Sequence, residues 1–213
     1  MVTDWLYRKR LKSGNSSRDG AHREFSLSYR QDKGSLPCYA PRIAFRDGTN
    51  RLNERTMIAC LIPPKTFLAN TAPYILLPRG DASDEAFLLG VLPSRCLDWY
   101  ARRFLERHAN FFLVNTFPIP RPSPSDPLRA KTVALAGRLA AADDRFSDWA
   151  KKVGVKHGPL MAAERQAMID ELDAVVAKLY GLSELQLAHL FETFHEGWDY
   201  ELRLRAVLKY FHA

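Results

Sequence analysis

The stretch Pro41–Pro64, PRIAFRDGTNRLNERTMIACLIPP, decides the fold that this sequence predicts. Its two apolar runs, IAF (43–45) and MIACLI (57–62), contain β-branched and aromatic residues and are bounded by turn residues, as strands are. Asp47-Gly48 lies between the runs, and Gly48 can supply the positive φ that a tight turn needs. The stretch therefore predicts a hairpin-like ribbon.

The same stretch carries hydrogen-bonding side chains between and beside the apolar runs: Arg42, Arg46, Asn50, Arg51, Asn53 and Arg55. A guanidinium fork matches phosphate oxygens or the edge of guanine, and an amide matches adenine. A solvated, positively charged sheet face explains this stretch on its own equally well. Two interpretations therefore stay open here, a nucleic-acid-binding edge and a solvated edge.

The distribution of charge favours the nucleic-acid interpretation. The chain has a formal net charge of +7, and residues 1–56 hold 12 basic and 6 acidic residues, a net +6. The other 157 residues hold 19 basic and 18 acidic residues, a net +1. A concentrated basic patch is typical of a polyanion binder. Charge does not separate DNA from RNA or an acidic membrane, but no basic amphipathic helix supports the membrane.

Length and composition predict a globular protein with a proper core. The chain has 213 residues, 46% of them hydrophobic, enough for one domain or for a domain with a smaller subdomain. It contains neither an apolar run of about 18 residues nor a signal peptide, so we expect no membrane span and a cytoplasmic location. Cys38, Cys60 and Cys96 lie far apart, which favours reduced thiols. The abrupt start, WLYRKRLKSGNSSRDG (5–20), indicates a piece of something longer.

The predicted fold class is α+β, a small mixed or antiparallel sheet followed by a helical C-terminal part. Residues 1–24 are a polar, basic lead-in that we expect to be flexible or only partly ordered. Residues 25–114 form a β-rich part with a kinked helix, and FSLSY (25–29) and YILL (74–77) are its further strand candidates. Residues 115–127 are a Pro-rich linker, and residues 128–213 are a helical subdomain.

Helical patterning begins near residue 84. Ser83 is a good N-cap, with Asp84 and Glu85 following it in the first turn. Pro93 should kink or split the pattern that extends to residue 107. The side chains predicted to face inward are Phe87, Val91 and Leu92 in the first half and Leu97, Tyr100 and Phe104 in the second. Arg102, Arg103 and Arg107 form a basic stripe, which is either a DNA contact or a solvated face.

Beyond the linker the sequence predicts only helices. NTFPIPRPSPSDP (115–127) has five prolines in thirteen positions, so it should be a stiff crossing between two parts of one fold rather than a ligand for a partner. Helices are predicted over about 128–142, 162–180, 183–194 and 198–211. Gly181 is expected just after the second of these, and Ser183 with Gln186 makes a capping box for the third.

Catalytic motifs are missing from the sequence. It contains no HExxH, no Cys/His set with zinc spacing, no GxGxxG, no GxxxxGK[ST] and no Glu-x-Lys pair. The pair Asp143-Asp144 and Asp148 are better explained as solvated acids at helix ends than as metal ligands. We therefore predict no catalytic residue, no metal site and no cofactor site in this chain.

Several motifs in order carry a resemblance. RIAFRDGTNRLNERTMIACLIPP (42–64), LLGVLPSRCLDWYARRF (88–104) and NTFPIPRP (115–122) resemble the C-terminal target-recognition domain of bacterial N6-adenine DNA methyltransferases. The resemblance is especially to single-chain restriction–modification enzymes of the type IIG kind. The tail IDELDAVVAKLYGLSELQLAHLFETFHEGWDY (169–200) is similar to the helical end of the same proteins. The resemblance covers about residues 40–212.

The resemblance implies a specificity part without the methylating part. In that family an upstream catalytic domain binds S-adenosylmethionine and flips the target adenine into an Asn-Pro-Pro-Tyr or Asp-Pro-Pro-Tyr site. This chain has neither that motif, since Asn70-Thr71-Ala72-Pro73-Tyr74 lacks the second proline, nor an FxGxG cofactor motif. The implied partners are therefore double-stranded DNA and the catalytic methyltransferase domain of a parent protein, with no membrane partner. The resemblance leaves two kinds of parent open, a methyltransferase alone and one that also carries a nuclease.

The resulting hypothesis is a clamp on DNA. The residues predicted to bind DNA are Arg42, Arg46, Asn50, Arg51, Asn53, Arg55, Lys65, Arg102 and Arg103. Arg51 and Arg55 are predicted to contact phosphates, and Arg46 and Asn53 to read bases. Two alternatives remain, a helical module that docks a methyltransferase or nuclease subunit, and a complete enzyme whose site has no familiar motif.

Overall fold

The computed structural model describes residues 36–50, 53–194 and 199–213. The predicted lead-in (1–24), the predicted strand FSLSY (25–29) and Arg51 lie outside the described residues.

The fold class is α+β, as predicted. The described residues contain a three-stranded antiparallel sheet with strand order β2-β1-β3. The strands are β1 (Arg42–Phe45), β2 (Ala59–Ile62) and β3 (Tyr74–Ile75). Phe45 lies opposite Ala59, and Ile43 lies opposite Ile75. The short β3 replaces the longer strand predicted over 74–77, because the chain leaves the sheet after Ile75.

The tight turn predicted at Asp47-Gly48 is wrong. β1 and β2 do pair, but the connection between them is long, and Gly48 does not have a positive φ. Gly48 instead forms an isolated antiparallel bridge with His108. The backbone of residues 47–49 therefore pairs with residues 107–109 and does not turn directly back toward β2.

Eight α-helices lie within the described residues: α1 (Ala82–Val91), α2 (Arg95–Ala101), α3 (Phe111–Val114), α4 (Pro127–Ala140), α5 (Ser147–Val153), α6 (Ala162–Leu179), α7 (Glu184–Glu192) and α8 (Tyr200–Phe211). Short 3₁₀ turns cover Pro37–Tyr39 and Asp144–Phe146. The split at Pro93 is confirmed, since α1 ends before it and α2 begins after it. The predicted Gly181 and the Ser183–Gln186 capping box are also confirmed, with φ 68° at Gly181.

The N-cap of α1 is Asp81, not the predicted Ser83. The Asp81 side chain accepts from the N–H groups of Ser83 and Asp84, and the Asp84 side chain accepts from the Asp81 N–H. A carboxylate with a reciprocal partner three residues later satisfies two free backbone donors at once. The helix therefore begins two residues earlier than the sequence pattern indicates.

Two short helices, α3 and α5, were not predicted, and one inward-facing residue was wrong. α5 is fixed by Trp149, which is 3% exposed and donates its Nε1–H to Glu85 in α1 at 2.7 Å.

Of the side chains predicted to face inward, Phe87, Val91, Leu92 and Leu97 are buried, whereas Phe104 is 49% exposed. Phe104 lies past the end of α2, where the helical periodicity behind the prediction no longer applies.

Residues before and after the Pro-rich segment (115–127) share one hydrophobic core. It contains Ile43 and Phe45 of the sheet, Phe87 of α1 and Val176 of α6. α1 packs closely on α4 at Gly90, where a side chain would not fit. A Cβ atom added to Gly90 would lie only 2.8 Å from Thr132 Cγ2. The sheet is thus anchored on a helical layer that includes the C-terminal helices.

None of the described helices combines the length and the apolar character needed to cross a bilayer. The three cysteines are free thiols, with Cys38 and Cys96 buried and Cys60 exposed.

Candidate nucleic-acid interface

The turn after β1 and the loop after α2 are joined by backbone hydrogen bonds. The Thr49 N–H donates to the Arg107 carbonyl at 2.8 Å, and the Ala109 N–H donates to the Asp47 carbonyl at 2.8 Å. The side chains also meet, since Asp47 Oδ2 lies 3.0 Å from His108 Nδ1 although the two residues are 61 positions apart. The two loops therefore form one surface.

Exposed side chains on these loops make up what we call the basic loop surface: Arg46, Asn50, Arg103, Arg107 and His108. Within the part of the chain that the structure describes, Arg46 and Arg107 have no side-chain hydrogen bond or ion pair. Asp47 and the exposed Glu106 lie on the same loops, so the surface is modestly rather than strongly basic. Unpaired, exposed guanidinium groups can bind phosphate oxygens without first breaking a bond within the protein.

Arg42, a predicted DNA contact, is buried inside the sheet region. It is 3% exposed, and its Nη1 donates to the Pro37 carbonyl at 3.3 Å while its Nη2 donates to the Thr66 carbonyl. Its guanidinium carbon lies 4.9 Å from the centre of the Tyr74 ring. Arg42 therefore links the chain segments around β1, and we no longer assign it to DNA.

Arg55, the second buried case, forms an ion pair with Asp173 of α6. Its Nη2 lies 2.7 Å from Asp173 Oδ2, its Nη1 lies 3.1 Å from Oδ1, and Nη1 also donates to the Pro93 carbonyl at 2.9 Å. Burial alone would lower the pKa of Arg55, but attraction and hydrogen bonding to Asp173 outweigh it and the pKa is raised. A guanidinium satisfied in this way is not available to a phosphate.

Arg95 and Arg102 belong to the same internal network. Arg95 Nη1 donates to the Glu54 carbonyl at 2.9 Å, and its backbone N–H donates to Asp173 at 2.9 Å. Burial and the neighbouring Arg55 charge lower the pKa of Arg95 to about 10, so it stays charged at neutral pH. Arg102 Nη2 donates to the Asn53 carbonyl at 2.8 Å, which holds this predicted DNA contact against the protein.

Asp98 completes the network from the centre of α2. It is fully buried, and its Oδ1 accepts from the backbone N–H groups of Thr56 and Met57 at 2.7 and 2.9 Å. Its Oδ2 accepts from Arg102 Nε at 3.1 Å. We call this network the buried arginine cluster, comprising Arg55, Arg95 and Arg102 with Asp98 and Asp173. It fixes residues 53–57 against α2 and α6.

The remaining predicted contacts divide between the sheet and the loops. Asn53 Nδ2 is buried with no hydrogen-bond partner among the described residues, so its amide is not presented to a base. Lys65 is exposed, but it follows β2 at the end of the sheet opposite Arg46. Arg51 lies outside the described residues. Of the predicted set, Arg46 and Asn50 are thus exposed on the loop after β1, and Arg103 is exposed on the loop after α2 that pairs with it.

The basic excess of residues 1–56 lies mostly outside the described residues. Residues 1–35 hold eight basic and four acidic residues, and Arg51 adds one more basic residue. The net charge of +6 in residues 1–56 is therefore not evidence for the basic loop surface, because most of it comes from residues outside that surface.

Three residues that the sequence analysis did not single out, His108, Asp98 and Asp173, are central to these two sites, together with Arg107, which it named only as part of a basic stripe. Arg107 and His108 join the basic loop surface because the bridge to Gly48 brings them there. Asp98 and Asp173 are buried acids in α2 and α6, and each follows a buried leucine, Leu97 and Leu172, in the sequence. An acid at such a position signals a buried cation partner, although the sequence does not say which cation.

Comparisons of this chain with protein-family models, with curated proteins and with solved structures found no match. Among the described residues, no group of three or more His, Cys, Asp or Glu side chains could hold a metal ion.

Proposed function

We propose that this chain is a sequence-specific DNA-recognition module of a restriction–modification N6-adenine DNA methyltransferase. It would work with a catalytic methyltransferase domain that binds S-adenosylmethionine and that this chain does not contain. The single observation that supports the proposal best is the basic loop surface. Its arginines come from two loops that are joined by backbone hydrogen bonds, so the two loops present their cations on one surface that a polyanion can contact.

DNA binding is tested most sharply at Arg46 and Arg107, the two exposed arginines with no side-chain partner among the described residues. We expect the chain to bind random duplex DNA, with an affinity that falls steeply between about 50 and 200 mM salt. Arg107→Ala should weaken binding and lower the slope of log affinity on log salt by about 0.9, the loss of one phosphate contact. The measurement is fluorescence anisotropy of a labelled duplex.

A matched control removes the same charge from another exposed site. Arg205 in α8 is exposed and pairs with Glu201 four residues earlier at 3.3 Å. Arg205→Ala should leave both affinity and salt slope unchanged. An equal effect of the two substitutions would mean that only net charge matters and that the basic loop surface is not the contact.

Arg46 carries the specificity part of the proposal. Arg46→Ala should relax the preference at one base pair in a pool of random duplexes selected for binding, because a bidentate arginine–guanine contact discriminates by about 1–3 kcal/mol. A uniform loss of affinity for all sequences would instead make Arg46 a phosphate contact.

Two further outcomes separate this proposal from its alternatives. Absence of binding at low salt would favour a helical module that docks a methyltransferase or nuclease subunit. Methyl transfer from labelled S-adenosylmethionine to DNA by this chain alone would make it a complete enzyme, and we expect none.

A further inference from the structure

An open groove lies beside α2, on the side of the helix that carries Trp99 and Tyr100. Its volume is about 540 Å³, and its lining includes Trp99, Tyr100, Tyr180, Leu185, Gln186 and His189. The described residues that line it include three aromatic rings but no Lys, Arg, Asp or Glu. The groove is therefore suited to a flat, uncharged group.

The wall opposite α2 is held in place by the connection between α6 and α7. The Tyr180 hydroxyl donates to the Pro118 carbonyl at 3.0 Å. Gly181 then turns the chain with a φ of 68°, and Ser183 and Gln186 close the capping box of α7. Gln186 Oε1 accepts from the Ser183 N–H at 2.8 Å, so its amide NH₂ group remains as a donor at the groove.

A cation of the basic loop surface lies at this groove. The Arg103 guanidinium carbon is 3.9 Å from the centre of the Trp99 ring, a stacked cation–π contact. Stacking uses the flat face of the guanidinium and leaves its N–H edge for an anion. The groove thus combines aromatic walls and the hydrogen-bonding side chains of Gln186 and His189 with the Arg103 cation beside them.

This combination matches a nucleobase attached to a phosphodiester backbone. A base stacks on aromatic rings and offers hydrogen-bonding edges to groups such as Gln186 and His189, while the adjoining phosphate can meet Arg103. A small cation would find no Asp or Glu in the lining. An apolar helix would bury the aromatic rings but would leave the position of Arg103 without a role.

We propose that this groove accepts an unstacked nucleobase, so that the chain prefers duplex DNA in which one base is extrahelical. The inference rests on the proposed DNA-binding function and adds a second contact to it. Stacking of one base on a protein aromatic ring corresponds to about a tenfold gain in affinity.

The test compares a duplex that carries one bulged 2-aminopurine with the same duplex fully paired. We expect the bulged duplex to bind about tenfold more tightly, and the fluorescence of its 2-aminopurine to be quenched on binding because the base stacks. Leu185→Glu places a carboxylate at a groove residue that is 83% exposed, so folding should be unaffected. This variant should lose the preference and the quenching while it binds the paired duplex nearly as before.

Leu202→Glu is the matched control. Leu202 is 62% exposed, lies in the first turn of α8 as Leu185 does in α7, and does not line the groove. It should retain the preference, and Trp99→Leu, checked for folding by circular dichroism, should lose it. Equal affinity for the two duplexes, or a preference that survives both Leu185→Glu and Trp99→Leu, would overturn this inference alone. If neither duplex binds, the proposed function itself fails.

Discussion

The basic loop surface and the buried arginine cluster use the same residue type in opposite ways. Arg46 and Arg107 are exposed and have no ion-pair partner among the described residues, whereas Arg55 is held by Asp173 at 2.7 Å. The two sets are close in sequence, since Arg46 and Arg55 lie in one predicted ribbon. They differ because Arg55 has an acidic partner, Asp173, which lies 118 residues further along the chain. The positions of the arginines within the ribbon therefore do not predict which of them is buried and paired.

The largest expected effect tests whether the buried cluster is structural. Asp173→Ala leaves the Arg55 charge buried without its partner, and we expect it to lower the free energy of unfolding by about 3–5 kcal/mol. Urea denaturation followed by circular dichroism measures this. Arg205→Ala breaks an exposed pair and should change stability by no more than about 0.5 kcal/mol. Similar effects of the two substitutions would remove the distinction between the two sets.

A smaller effect concerns the backbone groups that the buried cluster holds. Asp98→Ala would leave the N–H groups of Thr56 and Met57 without an acceptor, in a site that is fully buried. Each buried donor left unsatisfied costs about 1–3 kcal/mol, so a loss of at least about 2 kcal/mol is expected. Asp98→Asn keeps one oxygen acceptor and should lose less. If Asp98→Asn is as destabilising as Asp98→Ala, the charge rather than the hydrogen bonds holds residues 53–57 in place.

The smallest expected effect concerns a carboxylate that belongs to neither set. Burial raises the pKa of Glu85, while the hydrogen bond from Trp149 and the charge of Lys152 lower it only partly. The native state therefore holds this proton more tightly than the unfolded state, whose glutamate pKa is about 4.3. Stability from this group is present below that pH and is lost as pH rises through the raised native pKa.

Glu85→Gln should flatten the dependence of stability on pH in that window, because glutamine keeps an oxygen for the Trp149 N–H but does not titrate. Thermal unfolding at several pH values from about 4 upward measures it. The gain at neutral pH should be below about 1 kcal/mol, since the side chain is only partly buried. An unchanged pH dependence would show that Glu85 is not desolvated in solution.

The sequence predicted the elements better than the contacts between them. The paired apolar runs of β1 and β2, the break at Pro93 and the capping box at Ser183 follow from local rules, and the structure confirms them. The tight turn at Gly48 was wrong because that segment pairs with His108, a partner that no local pattern indicates. The short helices α3 and α5 depend on tertiary contacts, such as Trp149 with Glu85, that span 64 residues.

The candidate site was predicted only in part for the same reason. Exposure of Arg46 and Arg103 agrees with the prediction of a basic surface, but burial of Arg42 and Arg55 depends on Thr66 and Asp173. Arg107 was visible in the sequence as part of a basic stripe near the end of a predicted helix, but it lies past the end of the observed α2. Its place beside Asn50 depends on the pairing of two loops, which the stripe does not encode.

The Arg55–Asp173 pair has a practical consequence for building hybrid proteins from this chain. A chimaera that exchanges the β-rich part alone, with its junction between Asn115 and Asp126, would give Arg55 an α6 from a different protein. Unless that helix also presents an acid at the position of Asp173, the hybrid would carry an uncompensated buried charge. Module exchange should therefore transfer residues 36–213 together, with the junction placed before the sheet rather than in the proline-rich segment.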